Sequence, residues 1–599
     1  MKKINNITTD RNQNEIWRSQ FISGQHKFGI TNFIQMKTLK VYFIFLFFGT
    51  ILSSCNYLDY SESSQYNKND IFSDFTRCEG VLTNIYSYLP SDFSSVDGST
   101  RSSATDDAID VKELSNIQKF NDGSWNAVIT LDDQWVNMYS GIRTANVFLK
   151  GIQGQTFPDI EYNSDYAAKM QQFTVYPYEA RFLRALFYFE LIKRYGDVPL
   201  VTTVLTVDEA NHVVPAKFDS IVKFIVSECD SVAPKLPITF STFSTTKETG
   251  RATRGAAWAL KARTLLYAAS PLHNPNALAT GDPKWIAAAK AAKVVIDSLK
   301  SQYSPLPSYT TTFNTVNGLP SKELIFGRNE GSSNTFEAAN TAIGFVGGNT
   351  GTCPTQNLVD AYEMKKSGKG INETGSGYDA TNPYVGRDPR FGATILYNGA
   401  VWKSPQVLEI WDGGLNAPPK VHATETGYYL KKYMIESVSL DPVLPTTGQH
   451  YWTIFRYAEI LLNYAEAMNE AYGPDAVGTD PVLNFTARTQ VNIVRSRTGV
   501  AMPAFPVGMT QSAFRTKLQN ERRIEFAFED QRFWDIRRWK IGATTTDIYG
   551  VDIKNDGTGV ITFTGKLVQS RIWDEKMNLY PIPQSEININ NKLGQNPGW

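Results

Sequence analysis

The chain has 599 residues, of which 42% are hydrophobic and 13% aromatic, with 59 basic side chains against 59 acidic ones. This composition is typical of a folded globular protein. A formal net charge of zero excludes the excess of Lys and Arg that binders of nucleic acid and of anionic membranes carry, so we predict no nucleic-acid partner.

The first 54 residues show the pattern of an exported protein. Residues 1–35 are polar and lack an apolar period, and a second candidate start follows at Met36. We interpret 1–35 as a non-translated or disordered extension, with Met1 as the alternative start. Two lysines and the apolar run 41–52 then predict a signal peptide over 36–54. The run is too short to span a bilayer.

Cys55 ends a four-residue motif, Leu52-Ser53-Ser54-Cys55, that resembles a bacterial lipobox. It predicts lipid attachment at Cys55 and a lipidated polar tether over 55–69, which anchors a protein to a membrane without a spanning helix. The alternative is a cytoplasmic arm with a buried apolar helix, but the lysines, the length of the run and the cysteine all favour the signal peptide.

Three further cysteines lie far apart and show no Cys-x-x-Cys spacing. They are Cys78, Cys229 and Cys353. This spacing indicates neither a disulfide framework nor a zinc site, and it predicts that the three side chains pack in the core. The alternative is one disulfide between two of them in an oxidising compartment.

Helical periods dominate the chain up to residue 299. Residues 181–195 have a wide apolar face, and Gly196, Asp197 and Pro199 end the helix there. Residues 253–269 and 283–299 form an alanine-rich pair that allows close approach of backbones, as in tetratricopeptide repeats. We therefore predict a mostly α fold, with a tetratricopeptide-like helical-repeat scaffold, an α-solenoid.

The central part of the chain has a different character. Residues 304–451 are rich in Gly, Thr, Asn and Pro, which predicts long irregular loops and a few short strands. Loops of that length in a compact protein are usually functional. Helix is predicted again over 455–471, 487–497 and 512–539. Because no clean boundary follows Cys55, we predict a single domain over 70–599.

Four segments, in this order, resemble the SusD/RagB family of surface glycan-binding lipoproteins of Bacteroidetes. They are residues 178–200, 456–467, 521–539, and 580–583 with 595–599. The resemblance implies a tetratricopeptide-like scaffold whose irregular insertions form the binding face. It also implies a SusC-like TonB-dependent transporter as partner and a lipid-anchored place on the outer membrane, facing the cell surface.

Paired carboxylates raise the alternative of a surface glycoside hydrolase. The glutamates repeat at helical spacing and are Glu459, Glu466, Glu521, Glu525 and Glu529. Like charges at that spacing repel each other, so we interpret them as partners of arginines on neighbouring helices. The sequence has no Gly-x-Ser-x-Gly, His-Glu-x-x-His or phosphate-loop motif, and its five histidines lack metal spacing. We predict no enzymatic activity, no cofactor and no metal site.

Glycan binding calls for flat aromatic rings beside polar side chains. Two zones offer this combination, the stretch 101–126 and the loop-rich centre. The candidate ligand-binding residues are Asp106, Asp107, Trp125 and Asn126 in the first zone, and Tyr309, Phe313, Phe336 and Trp402 in the second. Any single aromatic residue among them is as readily explained by a place in the core.

These patterns together predict a surface-exposed protein that binds an oligosaccharide or polysaccharide and delivers it to a partner TonB-dependent transporter. The alternatives are the glycoside hydrolase, and a non-sugar nutrient binder or structural partner of the transporter.

Overall fold

Helices predominate up to residue 314, and they return from residue 457 onward. The computed structural model describes residues 67–93, 95–240, 250–314 and 321–599, and Lys68–Trp599 forms one compact unit. The helices are α1 (Lys68–Phe72), α2 (Phe75–Tyr86), α3 (Gln118–Asn121), α4 (Trp135–Gly151), α5 (Tyr166–Phe173), α6 (Tyr176–Tyr195), α7 (Val207–Ala210), α8 (Phe218–Val232), α9 (Arg254–Ala269), α10 (Pro283–Ser298), α11 (Thr311–Asn314), α12 (Thr335–Asn340), α13 (Gln356–Ala361), α14 (Pro389–Thr394), α15 (Tyr457–Tyr472), α16 (Ala487–Arg495), α17 (Gln511–Glu525), α18 (Gln531–Arg538) and α19 (Gln584–Ile589).

The strands form five antiparallel pairs within the described residues. They are β1 (Ala108–Asp110) with β5 (Thr352–Pro354), β2 (Val198–Pro199) with β3 (Pro215–Ala216), β4 (Leu324–Ser333) with β8 (Gly448–Arg456), β6 (Ile395–Leu396) with β7 (Tyr429–Leu430), and β9 (Asp547–Asn555) with β10 (Ile561–Ser570). The pair β1–β5 joins the N-terminal region to the loop-rich centre.

The longer helices stack in series. Helices α2, α4, α6, α8, α9, α10 and α15 each pack against the next, and α15 also packs against α16 and α17. This arrangement confirms the mostly α, tetratricopeptide-like scaffold. The irregular segments between α10 and α15 carry β4 to β8, and α9 packs against both β4 and β8.

Local sequence explains where the central helices begin and end. Nearly all of α6 is buried, and the helix ends at Gly196, whose φ of +73° suits a residue without a Cβ atom. The predicted end of this helix is confirmed, although α6 begins five residues before position 181. Thr253 caps α9, accepting a hydrogen bond from Ala256 N, and Asp282 caps α10 ahead of Pro283.

The single helix predicted over 512–539 is wrong. The chain turns between α17 and α18, where Phe528 and Asp530 have φ values of +61° and +64°. The turn places Glu529 against Arg456 and Asp530 against Arg101. The apolar period runs through the break without interruption, so the pattern alone shows no boundary, and the ion pairs that fix the turn come from distant segments.

Two buried arginines tie the loop-rich centre to the helices. Arg390 pairs with Glu521 at 2.7 Å and with Glu525 at 2.8 Å. Arg456, at the end of β8, pairs with the same Glu525 at 2.7 Å and with Glu529 at 2.7 Å. Because the guanidinium groups are buried and bonded on several sides, these ion pairs hold the loop-rich centre in position against α17 and the turn that follows it.

The predicted signal peptide over 36–54, Cys55 and nearly all of the tether lie outside the described residues. Within the described part of the chain, no helix combines the length and apolar character that crossing a membrane requires. Cys78, Cys229 and Cys353 are buried free thiols.

Candidate ligand-binding site

Asp106 and Asp107 are buried, and their ion pairs hold the N-terminal region against α17 and α18. Asp106 accepts bonds from Arg532 at 2.9 and 2.8 Å, and Asp107 accepts one from Arg523 at 2.6 Å. Burial alone would raise the pKa of Asp106, but Arg523 and Arg532 lower it to about 2. Burial raises the pKa of Asp107 even though Arg523 opposes that effect. Protein partners therefore occupy both oxygens of Asp106 and Oδ1 of Asp107, whereas Oδ2 of Asp107 is buried without a hydrogen-bond partner among the described residues.

Trp125 is 2% exposed and packs inside an aromatic cluster. Its ring lies 4.5 Å from Trp599, 4.8 Å from Phe120 and 5.2 Å from Tyr580, between centroids. Asn126 is half-buried, and its Oδ1 accepts two backbone N–H bonds of the following turn, at 2.9 and 3.0 Å. Trp125 thus offers no ring face to a ligand, and Asn126 closes a turn.

The four candidates in the loop-rich centre also lie inside the protein: Tyr309, Phe336 and Trp402 are buried, and Phe313 is half-buried. Tyr309 donates to Glu525 O at 2.8 Å and accepts from Lys432 Nζ at 2.7 Å. Burial lowers the pKa of that lysine to about 8. Trp402 is 2% exposed, whereas Phe313 is half-buried, with Lys432 Nζ 4.0 Å from its ring centroid. These side chains support the centre from inside.

The fourth candidate, Phe336, belongs to an aromatic cluster that joins the two predicted zones. Phe93, from the loop after α2, lies at its middle, with ring centroids 4.8 Å from Phe336, 5.1 Å from Tyr433, 5.1 Å from Trp452 and 5.6 Å from His450. Phe93 is half-buried, so one side of it reaches the surface. The sequence did not lead us to predict Phe93, although a lone aromatic residue in a run of Ser and Asp is the signal that could have identified it.

An open cleft of about 840 Å³ lies between α2 and β4, and we call it the α2–β4 cleft. Arg328 in its wall pairs across the sheet with Trp452 of the aromatic cluster. The polar side chains of the wall are Thr76, Glu79, Thr83, Ser87, Arg251, Arg328 and Asn329. Thr76 and Asn329 are exposed. Hydroxyl, carboxylate, guanidinium and amide groups thus surround one open volume.

The charged groups of the α2–β4 cleft are held in place. Arg251 donates to Glu179, with Nε 3.0 Å from Oε2, and Tyr86 donates to the same oxygen at 2.5 Å. Arg328 Nη1 donates to Leu89 O at 2.5 Å. A ligand therefore meets polar groups whose geometry is already fixed, which reduces the entropy lost on binding.

A second cleft, of about 400 Å³, lies between α4 and α19, and we call it the α4–α19 cleft. Its wall includes Trp135 and Tyr139, and Val136 and Ile589 beside them are 62% and 59% exposed. The wall is mainly apolar. It suits a polyhydroxylated ligand less well than the α2–β4 cleft does, because sugar hydroxyls left without partners lose their hydrogen bonds to water.

The helical glutamates are buried and bonded to arginines, as predicted. Arg263 Nε donates to Glu459 at 2.6 Å, and Arg538 Nη2 donates to Glu466 at 2.8 Å. Burial opposes ionisation of Glu525, but three arginines hold its pKa below the usual range. A carboxyl group held ionised makes a poor proton donor for glycoside cleavage. Among the described residues, no group of three or more His, Cys, Asp or Glu is arranged to hold a metal ion.

Two family models match the chain. The model of the SusD family matches residues 322–599. A second model, described as starch-binding and associating with the outer membrane, matches residues 56–266. The two matches together include α2, β4 and the helices between them except α10 and α11.

Individual relatives agree with these models. A SusD-like protein of Formosa agariphila is 22% identical over 495 residues, which cover 77% of this chain and 78% of that protein. A solved SusD-like protein from Bacteroides fragilis is 27% identical with a TM-score of 0.72, over 88% of this chain and 98% of that one. A SusD-like carbohydrate-binding protein from the same species is 27% identical with a TM-score of 0.66, over 88% of this chain and all of that one.

Proposed function

Because this chain belongs to the SusD family, we propose that it is a glycan-binding protein of the outer membrane that captures an oligosaccharide and delivers it to a partner SusC-like TonB-dependent transporter. The observation that carries the proposal is the α2–β4 cleft, an open volume whose wall holds hydroxyl, carboxylate, guanidinium and amide groups. The carbohydrate-binding relative from Bacteroides fragilis supports the same class of ligand.

The chemistry of the cleft matches that of a neutral sugar. Each hydroxyl of a sugar both donates and accepts, and the cleft offers acceptors such as Glu79 beside donors such as Arg328 and Asn329. Its volume of about 840 Å³ lies in the range of small-molecule sites. The aromatic cluster of Phe93, which the pairing of Trp452 with Arg328 links to the cleft wall, is the apolar partner that we propose for the C–H side of a sugar ring.

The proposed place of the protein follows from its N-terminal segment. Lipid on Cys55 anchors the protein at the outer membrane through the tether over 55–69, facing the cell surface. Delivery is then passive, because binding and release alone move the glycan, and no covalent chemistry or cofactor takes part.

The experiment is calorimetric titration of the purified protein with a panel of polysaccharides and their oligosaccharides. Asn329→Ala and Thr76→Ala each remove one hydrogen-bonding group from the α2–β4 cleft. Each is expected to weaken binding about tenfold, since one hydrogen bond contributes roughly 1 kcal/mol or somewhat more. Asn211→Ala and Thr203→Ala remove the same groups from the α4–α19 cleft and are expected to leave affinity unchanged.

The same titrations separate the other functions. Sugar products released during incubation would indicate a glycoside hydrolase. Absence of affinity for every glycan, together with firm co-purification of the transporter, would leave a structural or non-sugar role.

A further inference from the structure

A small cavity lies behind the buried aromatic cluster of Trp125, away from the α2–β4 cleft. Its volume is about 20 Å³, and its wall includes Asn121, Trp125, Thr545, Arg537, Arg571 and Trp573. A volume of this size holds one water-sized species. The guanidinium-bearing residues Arg537, which is buried, and Arg571, which is half-buried, both line the cavity. Among the described residues, neither forms the ion pair with a carboxylate that most buried arginines form.

Arg537, on α18, is 3% exposed. Its Nη1 donates to Phe533 O at 3.0 Å, and its Nε has no hydrogen-bond partner in the described part of the chain. Its guanidinium carbon lies 3.5 Å from the ring centroid of Phe533 and 5.1 Å from that of Trp573. Among the described residues no carboxylate lies within 4.0 Å of it, and burial lowers its pKa to about 10.

Arg571, just after β10, is bonded to neutral groups. It donates to the carbonyl oxygens of Thr105 at 2.6 Å, Ala108 at 2.9 Å and Ser103 at 3.2 Å, and to the Gln569 side chain at 2.9 Å. In the described part of the chain it forms no ion pair within 4.0 Å. Burial lowers its pKa to about 9, with Asp106 opposing the effect.

A third donor reaches the same cavity. Trp125 lines it, and the Nε1 of this 2% exposed side chain has no hydrogen-bond partner among the residues that the structure describes. A buried donor without a partner costs about 1–3 kcal/mol, and a buried charge without a counter-charge costs more. Two unpartnered N–H groups and two guanidinium groups without an ion pair among the described residues therefore lie around a space that holds one small species.

We propose that this cavity binds a single monoatomic anion, chloride, between Arg537, Arg571 and Trp125. The anion accepts hydrogen bonds from Trp125 Nε1 and Arg537 Nε, and its charge offsets both guanidinium groups. The volume excludes polyatomic oxyanions and sugars. On the same wall, Oδ1 of Asn121 is an acceptor without a partner and favours water instead, so the test must separate chloride from water.

The direct test is crystallographic. Crystals grown from sodium bromide are measured at a wavelength where bromide scatters anomalously. The expected result is an anomalous peak within hydrogen-bond distance of Trp125 Nε1 and Arg537 Nε. Density without an anomalous signal at that point would identify water and overturn the proposal.

A solution test uses two matched tryptophans. Trp125→Phe removes the donor of the cavity, whereas Trp402→Phe removes an equally buried, equally unpartnered Nε1 elsewhere. Replacing gluconate by chloride at fixed ionic strength is expected to raise the Tm of the wild-type protein and of Trp402→Phe, because a ligand bound only to the folded state stabilises it. Trp125→Phe is expected to lose most of that rise.

Two results of the solution test would overturn the proposal. One is an equal response of all three proteins to chloride. The other is no response of the wild-type protein, since a bromide peak would then reflect occupancy only at crystal concentrations.

Discussion

Glu525 is the residue at which the loop-rich centre and the helices are joined most closely. It bonds Arg390, Arg456 and Arg497 at 2.7 to 2.8 Å, with no exposed side-chain surface. Glu525→Gln leaves three buried guanidinium groups short of a negative charge, so we expect the free energy of unfolding to fall by about 3 kcal/mol or more. Urea unfolding measures the loss. Lys217→Ala, which breaks an exposed ion pair, is the control and should change little.

Asp106 predicts a pH dependence of stability. Its pKa is about 2 in the folded protein against 3.8 ordinarily, so the folded state binds the proton less tightly. The resulting stabilisation, roughly 2 kcal/mol, is fully present above pH 4 and is lost as the pH falls toward 2. Asp106→Asn should make the free energy of unfolding less dependent on pH over that range. An unchanged acid profile for this variant would contradict the assignment.

At the scale of elements, the close crossing of α4 and α6 depends on Gly141. A Cβ atom there would lie 2.7 Å from the ring of Phe187 and 3.1 Å from the Cβ atom of Tyr88. We expect Gly141→Ala to lower the free energy of unfolding by about 1–3 kcal/mol, because overpacking outweighs the gain in helix propensity. Gly80→Ala, in the open face of α2, should instead raise it by about 0.5–1 kcal/mol. Thermal or urea unfolding of both variants tests this contrast.

Helices were predictable from the sequence where local chemistry sets their ends. Thr253, Asp282 and Gly196 mark boundaries that the structure confirms. The break between α17 and α18 was not predictable, because the turn is fixed by ion pairs of Asp530 and Glu529 with arginines far away in the chain.

The sequence indicated which regions of the chain could bind a ligand, but it did not identify the contacting residues. Composition indicated aromatic residues beside polar loops, but it does not separate a ring that faces solvent from one such as Trp125 that faces the core. Thr76 and Asn329 line the same cleft only after α2 and β4 have packed together, so no local sequence pattern identifies them as parts of one site. The resemblance to a family carried the functional prediction further than spacing did.

At the scale of the whole molecule, attachment to the membrane rests on Cys55. We expect the wild-type protein to incorporate labelled fatty acid and to fractionate with outer membranes. Cys55→Ala should lose both properties, because no other lipid attachment point is predicted. Cys78→Ala, which replaces a buried thiol, is the control and should keep both. A membrane-bound, unlabelled wild-type protein would contradict the lipid anchor.

The measurement that tests the central claim most directly is the structure of the protein with an oligosaccharide bound. We predict a sugar in the α2–β4 cleft, with hydroxyl groups within hydrogen-bond distance of Asn329 and Arg328 and a ring near Phe93. A sugar seated in the α4–α19 cleft, or on any surface that excludes these three residues, would contradict the account.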